Sequence, residues 1–94
     1  MMQSDKVVFE KVKDLILSNL GKSSYSIEEI CLELGISRSQ LFRLVKEQTN
    51  LSPSRLIRQC RLLKGKELLE TTDLRIIEIT YQVGFDSPQT FSKF

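Results

Sequence analysis

The chain has 94 residues, of which 40% are hydrophobic and 28% are charged, and its formal net charge is +2 at pH 7. This composition indicates one globular domain that can bury a modest core without a metal or a disulfide. No apolar run approaches the roughly 18 residues of a membrane span, and the start does not resemble a secretory signal, so we expect a cytoplasmic protein without membrane contact. Cys31 and Cys60 fall at apolar positions of predicted helices, where reduced core residues are expected.

The positive charge is concentrated in the middle of the chain. Residues 38–66 carry a net charge of +7, whereas residues 1–37 carry −2 and residues 67–94 carry −3. A basic segment between acidic flanks is a candidate surface for binding a polyanion. Charge alone leaves the alternative open, namely a solvated helix face without a partner.

The first two helices are predicted from apolar residues at helical spacing and from their end signals. The first spans residues 5–20 and ends at Gly21. Its inward residues are Val8, Val12, Leu15, Ile16 and Leu20. The second begins at a Ser-x-x-Glu capping box formed by Ser26 and Glu29, and it stops at Gly35. Its inward residues are Ile27, Ile30, Cys31 and Leu34.

The third helix begins at a second capping box, formed by Ser37 and Gln40, and is predicted to reach about Thr49. Asn50 is expected to end it in the left-handed conformation. The inward residues are Leu41, Leu44 and Val45. Because these face the core, the other side chains of the first turns face outward. The outward residues are Ser39, Gln40, Phe42, Arg43 and Lys46.

Three further helices are predicted, and no stretch alternates with period two, so the domain is expected to be all-α. The fourth opens with Ser52 as cap and Pro53 at the first position, and runs to about Leu69. Its inward residues are Leu56, Ile57, Cys60, Leu63 and Leu68. The fifth spans about residues 75–83 and ends at Gly84. The sixth begins at Ser87-Pro88, with Phe91 and Phe94 inward and with Gln89, Thr90, Ser92 and Lys93 outward.

Residues 26–36 have a weaker echo at residues 75–85, in register at an offset of 49 residues from Gly35 to Gly84. In each copy a helical apolar stripe runs into glycine, then an apolar residue, then a polar cap. This pattern is typical of a helix-turn-helix. Two such units joined by a cationic helix favour DNA binding, because one long helix can hold them about one DNA turn, ~34 Å, apart.

In a DNA-binding unit of this kind, outward residues of the second helix reach base edges in the major groove. Arg43 can bond guanine through two hydrogen bonds, and Gln40 can serve adenine or a phosphate. Phe42 either contacts a thymine methyl group or packs at the edge of the core.

Several stretches together carry a family pattern. They are residues 35–46, Asn50-Leu-Ser-Pro53, Arg61-Leu62, Leu68-Leu69, Ile76-x-Glu-Ile79, Val83-Gly-Phe-Asp-Ser-Pro88 and Phe91-Ser92. Over about residues 5–94 the chain resembles the AraC/XylS-type DNA-binding domain, and in particular the C-terminal output modules of larger regulators, including hybrid two-component sensors. The resemblance implies a bacterial transcription regulator with two homeodomain-like helix-turn-helix units, whose recognition helices enter adjacent major grooves of double-stranded DNA. It also implies RNA polymerase and an upstream sensor or receiver domain as partners.

By position, the resemblance assigns contacts to both units. The first unit would direct Ser39, Phe42 and Arg43 toward bases, and Gln40 and Lys46 toward bases or backbone. The second would use Gln89, Thr90, Ser92 and Lys93. Contacts to backbone phosphates are expected from Ser37, Arg38, Arg55, Arg58, Lys64 and Ser87. The expected division is a first unit over residues 5–51, a linker helix over 52–70 and a second unit over 71–94.

The sequence departs from this family at several places. Asn50 stands where the family often has Gly, and Gly65 where it often has Ala, and both are tolerable. Arg75 stands where a capping residue is usual, so Asp73 is expected to cap the fifth helix instead. The family continues the last helix and adds a turn and a closing helix, so we expect a truncated chain with an incomplete second unit.

Two other classes of function compete with DNA binding. A helical protein-interaction module could use Phe42, Phe91 and Phe94 as its surface, and weak salt dependence of binding would distinguish it from a DNA-binding protein. An enzyme is not expected, because the chain has no His, no glycine-rich phosphate loop and no Cys/Asp/Glu cluster with metal or nucleophile spacing. We therefore predict no catalytic residue, metal or cofactor.

Overall fold

The computed structural model describes residues 4–85, which form five helices and contain no strand. The helices are α1 (Asp5–Ser18), α2 (Ile27–Leu34), α3 (Arg38–Thr49), α4 (Pro53–Thr71) and α5 (Ile76–Gln82). The predicted all-α class is confirmed. The predicted sixth helix lies outside the described residues, together with its candidate site residues Ser87, Gln89, Thr90, Ser92 and Lys93.

α1 ends earlier than its sequence pattern suggested. The side-chain amide of Asn19 donates to the Leu15 carbonyl at 2.8 Å, and the Asn19 backbone N–H donates to the Ile16 carbonyl at 3.2 Å. Because these bonds satisfy carbonyls of the last turn, the helix stops at Ser18 and Gly21 is not its terminator. Phe9, absent from the predicted stripe, is buried.

The turn between α2 and α3 has one predicted capping box and lacks the other. Ser26 caps α2 by its extended backbone, but its side chain makes no capping hydrogen bond, so the predicted box with Glu29 is wrong. Gly35 ends α2 in the left-handed region, with φ +66°. At α3 both bonds of the box are present. The Ser37 hydroxyl accepts from the Gln40 backbone N–H at 3.1 Å, and the Gln40 side-chain oxygen Oε1 accepts from the Ser37 N–H at 2.8 Å.

α4 begins as predicted and runs two residues further than predicted. The Ser52 hydroxyl accepts from the Arg55 N–H at 3.3 Å, with Pro53 in the first turn. Leu62 is buried, whereas Leu63 is 54% exposed, so the predicted inward position of Leu63 is wrong. Neighbouring helix positions point about 100° apart, and the face of α4 that carries Leu62 meets a second core.

The capping of α5 also differs from the prediction. Arg75 occupies the cap position, and no side chain caps the helix, so Asp73 does not have the expected role. The Thr72 hydroxyl instead accepts from the Leu74 N–H at 3.3 Å and donates to the Leu68 carbonyl at 2.6 Å. These bonds attach the segment between α4 and α5 to the end of α4 rather than to the start of α5.

Two apolar clusters form the core of the described residues, and α4 contributes to both. The first cluster contains Phe9, Val12, Ile16, Leu20, Tyr25, Ile30, Leu41, Leu44, Val45, Leu56 and Ile57. The second contains Leu62, Ile79, Val83 and Phe85. Cys31 and Cys60 are free and half-buried, and burial raises the pKa of the Cys60 thiol. The predicted reduced state of both cysteines fits this placement.

Candidate nucleic-acid interface

The buried face of α3 determines which of its side chains face solvent. Leu41, Leu44 and Val45 lie in the first core cluster, where α3 packs against α1, α2 and α4. The side chains predicted to face outward are all exposed, namely Ser39, Gln40, Phe42, Arg43 and Lys46. α3 is thus held on three sides and presents one polar and cationic face to solvent.

Two polar residues of this face form hydrogen bonds at the two ends of α3. The side-chain oxygen of Gln40 accepts from the Ser37 N–H, which leaves the amide NH₂ of Gln40 as its outward donor. The Lys46 ammonium donates to the Asn50 carbonyl at 3.2 Å, at the negative end of the helix dipole. Within residues 4–85, by contrast, Arg43 makes no hydrogen bond or ion pair, so its full donor fork faces solvent.

Arg38, at the first position of α3, is joined to both neighbouring elements of the turn. Its Nη1 lies 2.6 Å from Oε1 of Glu28 on α2, and its guanidinium carbon lies 5.3 Å from the centre of the Phe42 ring. Hydrogen bonds from the backbone N–H of Glu28 and from Ser26, followed by the charge of Arg38, hold the pKa of Glu28 below its usual value. The carboxylate is therefore the form that faces Arg38 at neutral pH.

Phe42 lies outside the buried core and is 37% exposed. An open hollow beside the ring is lined by Arg38, Ser39 and Phe42. The Arg38 guanidinium group lies over the ring. Both placements predicted for Phe42, against a thymine methyl group and at the edge of the core, stay predictions.

The predicted phosphate-contacting cations of α4 differ in their surroundings. Arg55 and Arg58 are exposed in its first turns, close in sequence to the Ser52 cap. Lys64 pairs with Glu67 at 3.2 Å, one helical turn further along, and so part of its charge is neutralised within α4. The amino-terminal end of α4 is accordingly its more cationic part.

Two features of other protein classes are absent from the part of the chain that the structure describes. Among residues 4–85, no three His, Cys, Asp or Glu side chains are grouped so that they could hold a metal ion. Over the same residues, no helix combines the length and the apolar character that crossing a bilayer requires.

Comparison with known proteins identifies the family. The family described as "Helix-turn-helix domain" matches residues 30–94, which is more than half of the chain. The chain belongs to the AraC-type helix-turn-helix domains. The family that the sequence predicted, and the all-helical architecture that this family implied, are thereby confirmed.

In the relatives of this AraC-type domain, the matching region is one part of a longer protein. It is 37% identical to histidine kinase P4 of Formosa agariphila, over 95% of the chain but 6% of that protein. It is 39% identical to the Msm operon regulatory protein of Streptococcus mutans, over 96% of the chain and 32% of that protein. The chain thus spans about a third or less of these curated relatives.

A solved structure has the same fold as this AraC-type domain. It is the C-terminal domain of AraT, a response regulator from Geobacillus stearothermophilus, with a TM-score of 0.80 and 28% sequence identity. The match covers 92% of this chain and 74% of that chain. The solved relative is therefore also a C-terminal module of a response regulator.

Sequence reasoning missed two residues that organise the AraC-type domain. Glu28 was counted only among the charges of its helix, although it pairs with Arg38 across the turn. Arg61 was noted only in the family pattern, yet its Nη2 donates to the Lys22 carbonyl at 3.1 Å, 39 residues away in sequence. Both contacts join residues that are distant along the chain, so local spacing carried no signal for them.

Proposed function

We propose that this chain is the DNA-binding module of a bacterial transcription regulator, with α3 as a recognition helix in the major groove. The single observation that carries the proposal is the exposed face of α3, where Arg43 stands with an unengaged donor fork beside Ser39 and Phe42. Membership of the AraC-type domains supports the assignment, as does the name of the Msm operon regulatory protein. Such a module would work in the cytoplasm, where bacterial DNA lies.

We propose different contacts for the residues of the first unit. Arg43 reads guanine through two hydrogen bonds, which is the commonest specific contact of arginine in the major groove. Gln40 donates to a phosphate rather than reading adenine, because bidentate contact with adenine needs the side-chain oxygen to face the base, and this oxygen is turned toward the Ser37 N–H. Ser39 and Phe42 reach bases, and Lys46 contacts the backbone.

The amino-terminal end of α4 supplies the sequence-independent part of binding in this proposal. Arg55 and Arg58 are exposed there and contact phosphates. Lys64 contributes less, since Glu67 competes with a phosphate for its ammonium group. Ser37 and Arg38 contact the backbone only in part, because each is engaged within the turn.

We also propose that the second unit, residues 71–94, reads an adjacent major groove. The internal repeat supports this, since α5 and the turn at Gly84 reproduce α2 and the turn at Gly35. The residues that would read bases are Gln89, Thr90, Ser92 and Lys93. In this division residues 5–51 form the first unit and residues 52–70 the linker.

Partners of the whole regulator follow from the partial coverage of its relatives. We propose an upstream sensor or receiver domain, supported by the solved C-terminal domain of a response regulator. RNA polymerase is a further partner in this proposal, since a transcription regulator acts by changing its recruitment or access.

The proposal is tested by comparing Arg43→Ala with Lys6→Ala, which removes the same charge from the first turn of α1, outside the basic segment. Selection from random duplexes supplies the preferred site. On that site, Arg43→Ala should lose about 1–3 kcal/mol of binding free energy and relax the preference at one base pair, whereas on random DNA it should lose little. Lys6→Ala should retain the preference. An equal loss on both DNAs for Arg43→Ala would remove its role as a reader.

Salt dependence supplies the second part of the test. The logarithm of the binding constant should fall linearly with the logarithm of salt concentration, with a slope of about −0.9 for each neutralised phosphate. Arg55→Ala and Arg58→Ala should each reduce the magnitude of this slope by about one. Binding that is insensitive to salt would contradict DNA binding and favour an apolar interface with a protein.

A further inference from the structure

Glu28, Arg38 and Phe42 form a chain of contacts that joins α2 to the exposed face of α3. Glu28 and Arg38 meet across the turn at 2.6 Å, although they are ten residues apart in sequence. The guanidinium group of Arg38 also lies over the Phe42 ring, at 5.3 Å from its centre. A planar cation at this distance is attracted by the negative face of an aromatic ring. These contacts therefore connect an acidic residue on one helix with an aromatic residue on the next.

The orientation of the Phe42 ring is the property that these contacts can control. On a helix, an aromatic side chain adopts one of two χ1 rotamers, which point its ring in different directions along the surface. Arg38 covers one side of the ring, which favours the observed rotamer over the other. The ring also borders the hollow lined by Arg38, Ser39 and Phe42. The ring thus presents one defined apolar surface to whatever enters there.

Glu28 fixes Arg38 in this position rather than serving as a DNA contact. A carboxylate repels phosphates, so direct binding of DNA by Glu28 is unfavourable. The side chains of Glu28 and Arg38 are 64% and 61% exposed, and an exposed pair of this kind adds little to folding stability. The effect of the ion pair is instead on the direction in which the Arg38 guanidinium group points. Without Glu28, this group would be free to turn toward a phosphate.

We propose that Glu28 and Arg38 are positioning residues for base specificity, which hold the Phe42 ring so that it packs on the 5-methyl group of one thymine in the major groove. An apolar side chain distinguishes thymine from other bases through this methyl group. The inference rests on the proposed function of α3 as a recognition helix, and it adds that a residue of α2 without DNA contact sets the preference at one base pair.

The first experiment locates the methyl contact. In the site obtained by selection, each thymine is replaced singly by uracil, which lacks only the 5-methyl group. For the wild-type chain, one replacement should lower affinity about fourfold, since burial of one methyl-sized group has about that effect. Phe42→Ala should bind the thymine and uracil versions of that site equally. If no single replacement is sensitive in this way, or if Phe42→Ala keeps the discrimination, the proposal is wrong.

The second experiment tests the positioning role with a matched pair of variants. Glu28→Gln should reduce the thymine-to-uracil ratio from about fourfold to less than about twofold, without weakening binding to the uracil site. Glu33→Gln makes the same charge change on the exposed side of α2 and should retain the full ratio. A purely structural role would change both affinities together and leave the ratio intact. An unchanged ratio in Glu28→Gln would overturn the proposal.

The outcomes distinguish this inference from the function on which it rests. Suppose that Arg43→Ala loses the preference for the selected site, as the proposed function expects, while Glu28→Gln leaves the thymine-to-uracil ratio unchanged. DNA reading by α3 then stands, and only the positioning role is refuted. If selection from random duplexes yields no preferred sequence, the proposed function fails, and this inference fails with it.

Discussion

Two glycines, Gly35 at the end of α2 and Gly84 directly after the Val83 cap of α5, offer a direct test of how the halves of the domain meet. Gly35 and Gly84 occupy equivalent positions of the internal repeat, and both have positive φ, +66° and +91°. A Cβ added at Gly35 would meet no atom within 4 Å. A Cβ added at Gly84 would overlap the carbonyl oxygen of Leu20 and would lie 3.0 Å from Nε of Arg61. The two positions thus share a conformation and differ in the space around it.

The expected magnitudes follow from this difference. Gly35→Ala should cost about 1–2 kcal/mol, which is the conformational penalty of an L-residue in the left-handed region. Gly84→Ala carries a similar penalty, and the overlap with Leu20 adds about 1–3 kcal/mol, as is typical of overpacking. Since the obstacle is backbone rather than a flexible side chain, relief requires the turn after α1 to separate from the turn after α5.

The measurement is urea unfolding of the wild-type chain and the two variants, with thermal melts in parallel. For a domain of this size, each 1 kcal/mol lowers Tm by about 4–8 °C. Gly84→Ala should be the more destabilised variant by both measures, and its unfolding should lose cooperativity if the second cluster separates from the first. Equal free energies of unfolding for the two variants would refute the close approach of Gly84 to Leu20.

Three further predictions concern the first unit. Ile30→Ala should lower the free energy of unfolding by about 2–5 kcal/mol, because Ile30 is fully buried, and a denaturant titration measures this. Ser37→Ala should cost about 1 kcal/mol in the same titration and Ser26→Ala clearly less, since only Ser37 makes a side-chain capping bond; the reverse order would contradict the observed caps. The pKa of Glu28 is lowered on folding, so its contribution to stability is present above pH 4.5 and is lost as the pH falls through the folded-state pKa. Glu28→Gln should therefore melt slightly below the wild type at neutral pH, and the difference should shrink as the pH falls through the folded-state pKa; a difference that stays constant in acid would contradict this assignment.

Local signals in the sequence predicted the fold well. The Ser37–Gln40 capping box, the left-handed Asn50 and the Ser52-Pro53 start were all confirmed, because each depends on residues within one turn of a helix. The exposed face of α3 was predicted for the same reason, since three buried residues fix the orientation of the whole helix.

The errors arose where local and distant interactions compete. Ser26 and Glu29 have the spacing of a capping box, yet the Ser26 side chain makes no capping hydrogen bond, and the neighbouring Glu28 pairs with Arg38 across the turn. Leu62 and Leu63 are both apolar, and only the position of the second cluster decides which of them is buried. Contacts of this kind depend on the packing of whole helices, which a single sequence does not specify by spacing.

The bonds that hold α3 in place also reduce the number of side chains that it can use to read DNA. Gln40 and Arg38 were both candidate contacts, but one completes the capping box and the other is paired with Glu28. In the proposed function three outward side chains remain for bases, Ser39, Phe42 and Arg43, and each good base contact contributes about 1–3 kcal/mol of discrimination. One helix with so few readers distinguishes only a short sequence. The second reading helix that we propose would bind at high effective concentration because it belongs to the same chain, and it would multiply the preference without additional contacts by α3. This argument accounts for the two tandem units of the proposal.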